Sequence, residues 1–173
     1  MNRTKATLIT LIALAAPALT LGACSTSTEI HDSIDGGIDP TEIGRTLDAW
    51  HEAASRGDLE AYFGVTTEGF VFMGTDPGER WTRDEFRAYA TPRFADGHGW
   101  TYRPVERYAS TNSYGDVAWV DEILRHETYG TMRGTAVLRS PGYGDQWYIA
   151  HYTLSFVIPN EKTGAVLEVL ARD

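Results

Sequence analysis

Three places in the chain carry residue types suited to moving protons. The first is Asp121 with its neighbour Glu122, inside the run Trp119-Val120-Asp121-Glu122-Ile123. Acidic residues are depleted from strand interiors. Neighbours in a strand point to opposite faces, so one of these two carboxylates faces inward. In an apolar cavity such a group has its pKa raised by desolvation and serves as a general acid or base. The competing reading is a carboxylate satisfied by Arg125, Arg133 or Arg139 on an adjacent strand, or an exposed one. The second place is Asp76, in Thr75-Asp76-Pro77-Gly78, which is also good turn chemistry. The third is His151, within Gln146 to Pro159. Trp147, Ile149, His151 and Thr153 form one row of that strand, and Tyr148, Ala150, Tyr152 and Leu154 the other. Both rows are partly apolar, so alternation leaves open which one lines an interior. A strand histidine is more often hydrogen-bonded structure than a catalyst, but an inward His151 beside Asp121 would make an acid–base pair.

Other chemistries find less support. His31, His51, His98, His126 and His151 show no paired spacing, so no metal site is expected. Ser140 and Ser155 lack a nucleophile-elbow context, and no glycine motif of the phosphate-cradling kind occurs. A net charge of -9 argues against a nucleic-acid footprint. No cofactor is implied.

The elements that must position these residues are legible in outline. Val117 to Thr128, Met132 to Leu138 and Gln146 to Pro159 alternate with period two and read as one antiparallel meander, reversed at Gly130 and at residues 141–145. A sheet this long curls, and its concave side needs a filler. The filler is a helix that starts at Asp39-Pro40 with Glu42 reaching back. It presents Ile43, Leu47, Trp50 and Ala54 as one apolar stripe. Asp58 caps a short helix over 59–63, Phe70 to Met73 forms a short strand, and Thr82-Arg83-Asp84-Glu85 is a capping box for a third helix that Pro92 kinks or ends. Trp100 to Tyr108 is a further strand. The fold class is therefore α+β: two helices, a strand, a third helix, then four antiparallel strands. Val166 to Leu170, in the tail 161–173, is apolar enough to add an edge strand or to cover a partner's surface.

The first 23 residues read as a signal peptide. Arg3 and Lys5 precede the apolar run Ala6 to Leu19, which is shorter than the roughly 20 residues that span a bilayer. Leu21-Gly22-Ala23-Cys24 resembles the lipobox of bacterial lipoproteins. That resemblance implies cleavage before Cys24, lipidation of this single cysteine, and a membrane-anchored protein of the bacterial cell envelope, facing the periplasm from the outer membrane in a two-membrane host. Cleavage removes Arg3 and Lys5 and no acid, which takes the charge from -9 to -11. Residues 24–39 then form a flexible leash before the domain at 40–160.

Leu47-Asp48-Ala49-Trp50 followed by Gly57-Asp58 and Phe63, then Phe72-Met73-Gly74-Thr75-Asp76, then Trp147-Tyr148-Ile149-Ala150-His151-Tyr152, resemble in order and spacing the nuclear transport factor 2-like superfamily, within it the SnoaL-like branch. The resemblance covers about Thr41 to Asn160. It implies a cone: a strongly bent antiparallel sheet wrapped around the long first helix, with two shorter helices, a pocket at the open end and frequent homodimers. It also makes Asp121 the expected inward carboxylate. It aligns Asp76-Pro77 with the proton-abstracting Asp of ketosteroid isomerases, although the loop differs in length. The superfamily hosts many functions, so it implies no single chemistry. Trp50, Tyr62, Phe72, Phe86 and Tyr89 are the expected pocket walls. Trp100, Tyr102, Trp119 and Tyr152 complete them. Such walls suit a small, largely apolar ligand. Two readings follow: an anchored protein that binds a small molecule or self-associates, and a cofactor-free isomerase or dehydratase using Asp76, Asp121 or His151.

Overall fold

Helix α1 (Pro40–Ser55) begins where the Asp39-Pro40 start predicts, and its stripe Ile43, Leu47, Trp50 and Ala54 is buried. The computed structural model describes residues 40–142 and 146–172, with side chains from Glu42 onward. The signal segment, Cys24, the leash, and the Gly144 end of the turn before the last strand lie outside the described residues. Helix α2 (Leu59–Gly64) is capped by Asp58, whose carboxylate accepts the Ala61 N–H. Strand β1 (Thr66–Met73) and the short β2 (Arg80–Thr82) form a hairpin closed by Gly74 N–H donating to the Glu79 carbonyl at 2.8 Å. Helix α3 (Arg83–Phe94) carries the expected capping box between Thr82 and Glu85, and it continues through Pro92 rather than ending there. β3 (Arg103–Thr111), β4 (Val117–His126), β5 (Gly130–Arg139) and β6 (Tyr148–Phe156) follow.

These strands make one curved, open six-stranded sheet in the order β2-β1-β6-β5-β4-β3. The expected meander is present as β4, β5 and β6, all antiparallel, with β3 antiparallel beside β4. β1 joins the other side of β6, in parallel. The sheet's inner rows and α1 share one apolar core that includes Ile43, Leu47, Trp50, Val120, Leu124 and Ala136. The curled sheet thus closes on the amphipathic helix as its stripe requires.

Two expectations are corrected. β6 does not alternate cleanly: opposite the step Val137 to Leu138 it carries Ile149, Ala150 and His151, so Ala150 is a bulge. One extra residue reverses the facing of everything beyond it. Trp147 and Ile149 are therefore buried from one parity and Tyr152 and Leu154 from the other. Among the described residues the tail forms no strand, which removes the edge-strand alternative and leaves that of covering a partner's surface. A 3-10 turn (Asn160–Lys162) leads into helix α4 (Thr163–Leu170), on which Leu167, Val169 and Leu170 are exposed. The chain leaves from β6, which already has a neighbour on each side; the sheet's edges are β2 and β3.

Candidate functional site

The inward row of β4 is Ala118, Val120, Glu122 and Leu124, all buried, and the carboxylate among them is Glu122. Its side chain is 1% exposed. A carboxylate at that depth survives only if every oxygen is partnered, and three elements supply the partners. From α1, His51 Nε2 lies 2.7 Å from Oε1. From β6, the Tyr152 hydroxyl donates to the same oxygen at 2.8 Å. From β3, Arg107, the residue directly opposite Glu122 in the register, donates Nε–H to Oε2 at 2.8 Å. Arg107 is itself held by the Gly44 carbonyl and by Asp48, the latter at 2.8 Å.

Electrostatics follow from this geometry. Burial works to raise the Glu122 pKa, but His51, Arg107 and Tyr152 outweigh it and hold the carboxyl at about 2, so Glu122 is an anion at any ordinary pH. Burial opposes the Arg107 charge, yet Glu122 and Asp48 more than compensate and hold the guanidinium above its usual range. Burial first, and Glu122 second, push the Tyr152 phenol well up, so it remains a neutral donor.

A glycine makes the arrangement possible. Gly134 stands opposite Glu122 on β5, and a Cβ there would come within 2.0 Å of the Tyr152 hydroxyl and 3.1 Å of Glu122 Cγ. Glycine inside a strand marks a close approach of this kind. Its missing side chain is the space in which phenol and carboxylate meet.

His51 and Tyr152 also line a cavity of about 150 Å³. Of the expected walls, Trp50, Tyr62, Phe72, Phe86, Tyr89, Tyr102 and Tyr152 line it, and so does Trp100. Trp119 does not: it is 48% exposed on the outer face of the sheet. The rings pack on one another, with Phe72 on Phe86 at 4.0 Å, Trp81 on Tyr89 at 4.6 Å and Trp50 on Tyr62 at 4.7 Å. Among the described residues, Trp50 Nε1 is a buried polar atom of this wall without a hydrogen-bond partner, and the Trp100 indole is the polar group beside the Tyr62 hydroxyl. Burial raises the Tyr62 pKa well above its ordinary value.

The three proton-transfer candidates are not brought together. Asp121 is exposed, flanked by Tyr108 and Thr135 on the outer face, so the expectation of an inward Asp121 is overturned in favour of Glu122. The reason is strand parity, which both apolar rows of β4 left ambiguous. His151 lies on the outer face in register with Val71 and Val137, and β5 separates it from Asp121. Partial burial and Arg80 lower its pKa. Asp76 is exposed in the β1–β2 turn, where its carboxylate accepts the Gly78 N–H at 2.8 Å and its carbonyl accepts the Glu79 N–H. It is a turn residue outside the cavity wall.

Residue types alone did not single out His51, Arg107, Glu122 and Gly134 as a set. Signals existed for some of them. His51 falls four residues after Leu47, on the apolar stripe of α1, and Gly134 interrupts the inward row Met132, Ala136, Leu138 of β5.

A family model described as a SnoaL-like domain matches residues 43–159. No curated protein matches the chain closely enough to count as a relative. Among solved structures, an NTF2-like protein of unknown function from Pseudomonas putida is similar at 16% identity and a TM-score of 0.58, over 73% of this chain and 94% of that one. A cystatin-like domain of unknown function from Nostoc punctiforme is similar at 15% identity and a TM-score of 0.59, over 75% and 84%. An NTF2-like protein from Streptomyces avermitilis, provisionally described as a dehydratase, is similar at 19% identity and a TM-score of 0.53, over 69% and 97%. At these identities the likeness concerns the fold.

Proposed function

The chain belongs to the SnoaL-like family of the nuclear transport factor 2-like superfamily, and from that premise we propose that it is a lipid-anchored protein of the bacterial cell envelope that binds a small, largely apolar molecule in its cavity. The observation that carries this reading is the cavity itself. Flat aromatic walls surround it, and polar groups meet at one end, where His51 and Tyr152 are fixed by the buried Glu122. That is the usual composition of a small-molecule site: apolar area for affinity and a few held polar groups for orientation. Self-association through the outer sheet face is part of the same proposal, since Tyr108 and Trp119 are 65% and 48% exposed there.

A melting-shift screen against steroids, flat polyketides, hydrophobic carboxylates and aromatic amines tests the binding reading, because a ligand that binds only the folded state raises the melting temperature. Selective stabilisation that Thr75→Trp abolishes by filling the cavity mouth supports it. A panel with no selective response counts against it. The anchor is tested separately: Cys24→Ser shifts the protein from the membrane to the soluble fraction if lipidation holds it there.

One observation favours a second reading, that of a cofactor-free enzyme of the isomerase or dehydratase kind. His51 lines the cavity with a carboxylate at hydrogen-bond distance from its ring, which is the arrangement that orients an imidazole for proton transfer. In that reading His51 takes the role first assigned to Asp76, Asp121 or His151, and Glu122 orients it. Product formed from a screen hit by the wild type and not by His51→Gln would establish it.

A further inference from the structure

The ionisable residues of the cavity wall are distributed unevenly. Among the described residues no lysine or arginine lines it. Apart from its phenols, the titratable groups are His51, which Glu122 already engages, and Glu79. Glu79 is half-buried at the cavity mouth. Its carboxylate accepts the Asp76 N–H at 3.1 Å, and among the described residues no cation pairs with it. The backbone is shaped to hold it there. A Cβ on Gly74 would come within 2.1 Å of Glu79 Oε2, so a side chain at 74 would displace the carboxylate from the wall. The rings of Trp81, Trp100, Tyr102 and Tyr129 line the same cavity. Aromatic faces carry negative potential and attract cations, increasingly so when water is excluded. The Tyr102 phenol responds in the same sense: burial first, then Tyr129, Tyr89 and Glu79, push its pKa up to about 12, so a second negative charge is resisted there.

We propose that the occupant of this cavity is an organic cation, a protonated or quaternary amine carried on a flat apolar body, with Glu79 as its counter-charge. The proposal rests on the reading of the cavity as a ligand site and narrows the class of ligand. The flat body lies among the stacked rings and the ammonium group at the mouth, between the Glu79 carboxylate and the neighbouring indoles and phenols. A carboxylate of the same shape meets an unpaired anion and, among the described residues, no lysine or arginine.

The experiment is a calorimetric titration of the full chain in detergent with 2-phenylethylamine, 2-phenylethanol and phenylacetate at one fixed ionic strength. These probes share a ring and differ in charge. The expected order is amine, then alcohol, then carboxylate, with the amine about tenfold or more tighter than the alcohol, as one partly desolvated opposite charge implies. In Glu79→Gln the amine falls to the level of the alcohol, whose own affinity is unchanged and reports an intact pocket. Binding of the alcohol without preference for the amine, or an amine preference that survives Glu79→Gln, overturns the charge assignment and leaves the pocket standing. Failure of all three to bind overturns both.

Discussion

Replacing Glu122 by Gln keeps the shape of the buried side chain and removes its charge, which makes it the sharpest probe of the site. The folded-state pKa of about 2, against an ordinary 4.5, measures how much more strongly the fold holds the anion than the acid. At about 1.4 kcal/mol per pKa unit this is worth about 3 kcal/mol. The sign is that of a depressed carboxylate. The stabilisation is fully present above about pH 4.5 and is lost as the pH falls through about 2, where His51, Tyr152 and Arg107 would face a neutral acid. Glu122→Gln should therefore cost about 3 kcal/mol at pH 7, in line with the 3–5 kcal/mol typical of breaking a buried pair from one side. The five tryptophans give a fluorescence signal for urea unfolding of both proteins at pH 7, 4.5, 3 and 2. Their stabilities should converge as the pH drops from 4.5 to 2. A gap at pH 2 as wide as that at pH 7 would refute the argument, since the loss would then come from shape or packing rather than from charge.

Gly134→Ala should destabilise by about 1–3 kcal/mol by overpacking, because its Cβ falls on the Tyr152 hydroxyl. Adding Tyr152→Phe, which removes that oxygen, should recover part of the loss, and a double-mutant cycle in urea measures the coupling. Tyr152→Phe alone should cost about 1.5–3 kcal/mol, the usual range for a hydrogen bond to a charged group. Asp121→Asn should change stability by less than about 0.5 kcal/mol and leave ligand binding untouched, since the residue is an exposed outer-face group. In alkaline difference spectra, Tyr102→Phe should remove a phenol that titrates near 12; a missing component near 10 would contradict the burial assigned to it.

Much of the scaffold could be read from the chain because its parts signal independently. The apolar stripe of α1, the Thr82–Glu85 capping box and the three-strand meander all appear where spacing puts them. Facing within the sheet was harder. Trp119 and Ile123 in one row of β4 balance Val120 and Leu124 in the other, so hydrophobicity cannot choose between Asp121 and Glu122. β5 alternates without ambiguity, with Arg133 and Arg139 outward and Met132, Ala136 and Leu138 inward. Carried across the turn, where His126 pairs with Gly130, that pattern turns Glu122 inward. β2 escaped notice because three residues are too few to show a period. The bulge at Ala150 left no trace in composition, because residues on both sides of it are of the same apolar and aromatic kinds.

That single inserted residue also governs how roles can be carried from one relative to another. Upstream of Ala150 the interior side chains are Trp147, just before β6, and Ile149; downstream they are Tyr152 and Leu154, an odd series giving way to an even one. A related protein whose final strand runs straight through would present the counterpart of Tyr152 to solvent, however well the letters match. Gapless superposition of two such chains would then equate a buried phenol with a surface one. Whether a relative keeps the hydroxyl that grips the central carboxylate is decided by its strand length as much as by its amino acids.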